Sequence, residues 1–107
     1  MFNIKKEAFG DFTKVIIENN ETGEYIAIVP EFGGNVCAIV LNKEGQNYSI
    51  LDGYKTPSEI VEHQNFKSSK LLPFPNRIKD GKYFFKGRSY QLPINEHDGN
   101  HAIHGLI

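Results

Sequence analysis

The chain has no tryptophan, one methionine and one cysteine among its 107 residues. A single cysteine excludes an internal disulfide framework. Cys37 lies in the apolar run Asn35 to Leu41, where a thiol acts as a small buried hydrophobe. Charge of one sign is also lacking: 12 Lys and Arg against 13 Asp and Glu leave a formal net charge of −1. Lys5-Lys6 is the only adjacent basic pair, so the basic footprint of a nucleic-acid binder is absent, and an anionic membrane is an equally poor partner. No apolar run approaches the ~18 residues of a membrane span. Met1 to Phe9 has no apolar stretch of the kind a secretory leader carries. These features fit a reducing, cytoplasmic setting. Apolar residues are 39% of the chain, below the usual share of about 45–50%. Aromatic rings are plentiful by contrast, with 8 Phe and 5 Tyr.

The apolar residues recur mostly every second position, the strand period. Phe12–Ile17 and Glu24–Val29 read as strands joined by the polar turn Asn19–Gly23, with Pro30 as the stop. Gly33-Gly34 opens a strand over Asn35–Leu41 whose near-continuous apolar character predicts cover on both faces. A turn at Asn42–Gly45 and a short strand over Asn47–Leu51 complete a second hairpin. Thr56-Pro57-Ser58-Glu59 carries a capping residue, a proline at the first helical position and an acid in the first turn, so a short helix is predicted to His63.

After Lys70 the character changes. Leu71–Ile78 holds Pro73 and Pro75 and cannot be a central strand; it reads as an ordered irregular loop. Tyr83–Phe85 and Ser89–Leu92 are predicted strands around Lys86-Gly87-Arg88, with Gly87 at positive φ. Of the second-half rings (Phe66, Phe74, Tyr83, Phe84, Phe85, Tyr90), most are expected in the core. The fold class is all-β, an antiparallel β-sandwich with one short helix.

Two constellations could carry chemistry. His97, His101 and His104 lie close together, and three imidazoles can hold zinc. On a helix His101 and His104 could share a face, but Pro93, Gly99 and Gly105 argue against one, and on a strand His104 would oppose the other two, so solvated loop histidines are the better reading and no metal is assigned. Asn76 and Arg77 stand in the proline-stiffened loop, where a guanidinium is held at a defined place and offers a fixed fork of donors to ligand oxygens.

The order of these features along the chain is more specific than any one of them. Gly33-Gly34 precedes a strand. Then follow Phe74-x-Asn76-Arg77-Ile78-x-Asp80-Gly81-x-Tyr83-x-Phe85-x-Gly87-x-x-Tyr90-x-Leu92-x-x-Asn95 and His101-Ala102-Ile103-His104-Gly105. This pattern resembles the aldose 1-epimerase (galactose mutarotase) family from about Phe9 to Ile107.

The resemblance implies a galactose mutarotase-like supersandwich. It implies an isomerase that interconverts the α and β anomers of free hexoses such as galactose or glucose, without a cofactor. It assigns Arg77, with Asn76, to sugar binding and His104 to the catalytic group near the ring oxygen; an imidazole with a pKa of about 6.5 can give or take a proton there. Gly105 lets the backbone pass close to the ligand. His97 and His101 gain no role. The family's second histidine and its glutamate base have no counterpart here, and nothing supports Glu96 as that base. Residues 1–107 therefore resemble only the N-terminal portion of one such sandwich domain, expected to be inactive alone and to self-associate through open strand edges. A non-catalytic carbohydrate-binding module of the same fold and a hexose 6-phosphate epimerase are the rival readings.

Overall fold

The structure, a computed structural model, describes residues 1–105; the apolar pair Leu106-Ile107 lies outside them. It divides into two compact units, Met1–Lys70 and Leu71–Ile107.

The first unit is built on a five-stranded antiparallel meander. Its strands are β1 (Phe2–Phe9), β2 (Phe12–Asn19), β3 (Tyr25–Val29), β4 (Asn35–Lys43) and β5 (Gln46–Ser49), paired in chain order. Turn chemistry sets the hairpins. Lys43 faces Gln46 across a two-residue turn in which Glu44 and Gly45 have φ of 54° and 82°. Positive φ at both central positions is the type I′ pattern, whose twist matches that of the strands. β1 is not anticipated by the sequence pattern, because Lys5-Lys6 breaks the alternation. It is the edge of the sheet, exposed along its length except at Phe9, and lysines on an edge discourage pairing with other chains.

The predicted cover of β4 on both faces is not what forms. Asn35, Cys37 and Val40 are buried, but Val36, Ala38 and Ile39 are half-buried and Leu41 is exposed. The core lies at one end of the sheet, where Phe9, Val29, Cys37, Tyr54 and Ile60 meet, flanked by Phe12 and Phe32. Burial raises the Cys37 thiol above its ordinary pKa, as for an inert core cysteine.

Tyr54 and Ile60 come from the segment after β5. The helix α1 (Pro57–Glu62) has a complete capping box at Thr56 and Glu59, and it stops at His63, whose backbone is left-handed. The buried Tyr54 hydroxyl donates to the Gln64 carbonyl at 2.9 Å and accepts from the Lys67 amide at 3.1 Å. The buried Asn35 amide donates to the Lys67 carbonyl at 2.7 Å. Both polar groups are thus satisfied, and they tie residues 64–67 to the sheet.

The second unit begins with the irregular loop predicted from Pro73 and Pro75, which ends at Asn76 rather than running to Ile78. It then forms β6 (Arg77–Ile78), a hairpin of β7 (Lys82–Phe85) and β8 (Arg88–Gln91), and β9 (Ala102–Ile103), which pairs with β6. Gly87 has the predicted positive φ, and Lys86 joins it, so Arg88 belongs to the strand rather than the turn. The hairpin's rings are not core. Tyr83, Phe84, Phe85 and Tyr90 are all exposed, Phe84 the most. Tyr83 and Tyr90 face each other across the ladder and stack at 5.0 Å.

Candidate functional site

Asn76, Arg77 and His104 all lie in the second unit, and a short ladder brings them together. β6 pairs with β9 so that Arg77 faces Ile103. The register continues one residue further: the His104 amide donates to the Asn76 carbonyl at 3.0 Å. In return the Asn76 amide donates to Nδ1 of the His104 ring, also at 3.0 Å. A backbone N–H can only donate, so Nδ1 accepts and the neutral ring carries its proton on Nε2. One hydrogen bond thus fixes both the place and the tautomer of the imidazole.

Asn76 and His104 have φ of 62° and 59°. Asparagine tolerates this region because its short side chain bonds locally; here Asn76 Oδ1 accepts from the Arg77 amide at 2.9 Å. Asn95 works as a side-chain strand. Its amide group donates to the Ile103 carbonyl at 2.8 Å and accepts the Ile103 amide at 2.7 Å.

The Arg77 guanidinium is anchored by a carboxylate. Nε donates to both oxygens of Glu96 at 2.8 Å, and Nη2 donates to Oε1 at 2.5 Å. Glu96 is held by a small hairpin of its own, exchanging backbone hydrogen bonds with His101. His101 Nδ1 accepts the Asp80 amide at 3.2 Å. Two of the three histidines thus use a ring nitrogen to order the backbone. Among the described residues no group of three His, Cys, Asp or Glu is placed to hold a metal ion.

The bonds from Arg77, and its charge, hold the Glu96 carboxyl below its ordinary value of 4.5. Glu96 in turn raises Arg77. A carboxylate with a lowered pKa contributes its pairing fully above the unfolded value and loses it as pH falls through the folded one. The Arg77 Nε–H resonance is therefore expected to stay unchanged from about pH 8 to about pH 5 and to shift only in stronger acid. A shift above pH 5 would count against the pairing.

Glu96 is the site residue that the sequence does not reveal. It lies 19 positions from Arg77, and no local spacing links them. The one available signal is the need of a loop-held arginine for a counter-charge. Elsewhere, the first unit carries an open groove of about 390 Å³ beside Lys5, Lys14, Ile16 and Tyr25, away from all of these residues in sequence.

These antiparallel β elements link Asn76 to His104 and Arg77 to Glu96 by hydrogen bonds. Residues 14–107 match the model of the aldose 1-epimerase family, and the chain belongs to that family. It is 60% identical over 37 residues to the uncharacterized protein YihR of Escherichia coli (strain K12), a match covering 35% of this chain and 12% of that one. It is 24% identical over 95 residues to a probable aldose 1-epimerase of Arthroderma benhamiae, covering 84% of this chain and 21% of that protein. The fold is similar to that of galactose 1-epimerase from Lactobacillus acidophilus NCFM, with a TM-score of 0.66 and 21% identity, over 97% of this chain and 30% of that one. The chain thus spans between 12% and 30% of the length of these proteins.

Proposed function

We propose that this chain provides the arginine–histidine part of an aldose 1-epimerase site and holds a free hexose there. The observation that carries the reading is the reciprocal bonding of Asn76 and His104 beside Arg77, within the segment that matches the family. Arg77 donates to sugar hydroxyls. His104 supplies an imidazole near the ring oxygen.

The reaction is an acid–base ring opening. A base takes the proton of the C1 hydroxyl, an acid protonates the ring oxygen, and the C1–O5 bond breaks. The aldehyde end rotates and the ring closes on its other face, returning both protons. Positioned acid–base groups contribute about 10²–10⁴-fold to such a step. His104 serves near the ring oxygen. The nearby carboxylate, Glu96, is engaged by Arg77 through both oxygens and is a weak base for that reason. The 107 residues are accordingly proposed to bind hexose without turning it over at an enzyme's rate. A cytoplasmic setting belongs to the same reading, supported by the single buried thiol of Cys37.

The test is a titration of the chain with galactose and glucose, followed by amide resonances. Saturable shifts at Asn76, Arg77 and His104 are expected, with a Kd of about 1 mM. Arg77→Ala and His104→Ala should each weaken binding about tenfold or more, the loss of one hydrogen bond involving a charged or oriented group. No shift at these residues with either sugar would sink the reading. Polarimetry on the same samples should show mutarotation at the uncatalysed rate.

A further inference from the structure

We propose that Glu96 is a positioning and specificity-determining residue. It holds the Nε–Nη2 edge of the Arg77 guanidinium, turns the other N–H groups towards the ligand, and cancels the charge that would draw a sugar phosphate. The inference rests on the hexose site proposed above and adds to it a choice between neutral and anionic sugars.

Guanidinium geometry carries the first half. The five N–H groups of arginine form a rigid planar fork. Glu96 engages Nε and Nη2 on one edge. The Nη1 donors and the second Nη2 donor therefore point away from the carboxylate, in a plane that Glu96 fixes. Without Glu96 the guanidinium can turn about its long stem, and a ligand must order it on binding.

The setting of Glu96 is built for this contact. Backbone bonds to His101 on both sides fix its place. Gly99, at the tip of that hairpin, leaves room for the carboxylate: a Cβ there would stand 2.7 Å from Glu96 Oε2 and 2.9 Å from the His101 ring. Arg77 is fixed at its other end by the β6–β9 ladder. Both partners thus spring from hydrogen-bonded backbone.

Stability is a poor explanation for the pair. The Arg77 side chain is 54% exposed, and exposed ion pairs add little to stability. Selectivity is a better one. An arginine by itself favours phosphate and carboxylate, which take its fork bidentately. An arginine already paired is near neutral and serves as a directional donor to hydroxyls. Glu96 then repels a ligand phosphate as well.

The experiment compares the wild-type chain with Glu96→Gln and Glu96→Asp. The readouts are the Arg77 Nε–H resonance, the thermal midpoint, and Kd for galactose against galactose 6-phosphate. The wild type should show a slowly exchanging Nε–H and prefer the neutral sugar. Glu96→Gln removes the charge. It should speed Nε–H exchange, weaken galactose binding about tenfold and strengthen phosphate binding several-fold, with Tm nearly unchanged. Glu96→Asp keeps the charge but falls short of Nε. It should lose Nε–H protection yet still reject the phosphate, and it supplies the answer if the Gln variant fails to fold. An unchanged Nε–H and an unchanged preference in the variants would overturn the proposal. If the wild type binds no sugar, the hexose reading fails by itself; Nε–H protection in the wild type and its loss in the variants would still uphold the positioning role, and its persistence would overturn it.

Discussion

Gly105→Ala is expected to dismantle the pairing of His104 with Asn76 and to cost the second unit about 3 kcal/mol or more, within the range of severe single substitutions. Two effects add. Gly105 has φ of 86°, in the left-handed half of the backbone map. An L-residue there costs about 1–2 kcal/mol, and most residues avoid it. The second effect is steric. A Cβ at Gly105 would overlap the Leu72 carbonyl, with Pro73 N only 3.0 Å away. These obstacles are backbone atoms and cannot swing aside like a side chain. Either the 71–73 segment or the 104–105 segment must move, and His104 lies in the second of these. The His104 amide would lose the Asn76 carbonyl, and Asn76 would lose Nδ1 of the ring. The check is the Asn76 amide resonance, together with denaturant unfolding followed by tyrosine fluorescence, since the chain has no tryptophan. An alanine variant with an unmoved Asn76 amide and native stability would refute the close-approach account.

That contact also marks where sequence reasoning ends. The hairpin turns are legible because they are local: Glu44-Gly45 and Lys86-Gly87 carry their own φ requirements. The helix is legible for the same reason, since Thr56, Pro57 and Glu59 form its cap among themselves. The loop with Pro73 and Pro75 announces that it cannot be a central strand. β9 is different. It has two residues, and its partners are the Arg77–Ile78 backbone and the side chain of Asn95. No period exists in two residues. The Asn76–His104 bond spans 28 positions, so Asn76, Arg77 and His104 can be named together only through the resemblance to a family, and no local spacing ties Glu96 to Arg77. The hairpin rings mislead in the opposite direction. Tyr83 to Phe85 have the composition of a core strand, yet ring content reports only what a surface can bury, and in this structure these rings are exposed.

The first unit shows the same dependence on a few non-local contacts, and Ile60 is the place to test it. Ile60→Ala is expected to destabilise this unit by about 2–5 kcal/mol, the usual cost of emptying a buried Leu or Ile site. The helix α1 has 6 residues, of which Ile60 is the buried one, at 0% exposure. A helix so short has no stability of its own and exists because one face is packed. Its capping box orders the first turn, worth about 1 kcal/mol, but a cap does not fasten a helix to a sheet. Ile60 does that, against Phe9, Val29, Cys37 and Tyr54. Two controls sharpen the test. Val61, the next residue, is 65% exposed, so Val61→Ala should change stability by less than about 0.5 kcal/mol. Ile60→Val removes one methyl and should cost about 0.5–1.5 kcal/mol. Equal losses at positions 60 and 61 would count against the burial of Ile60 as what fastens this segment. A large loss at 60 alone means that a single side chain fixes α1 on the sheet.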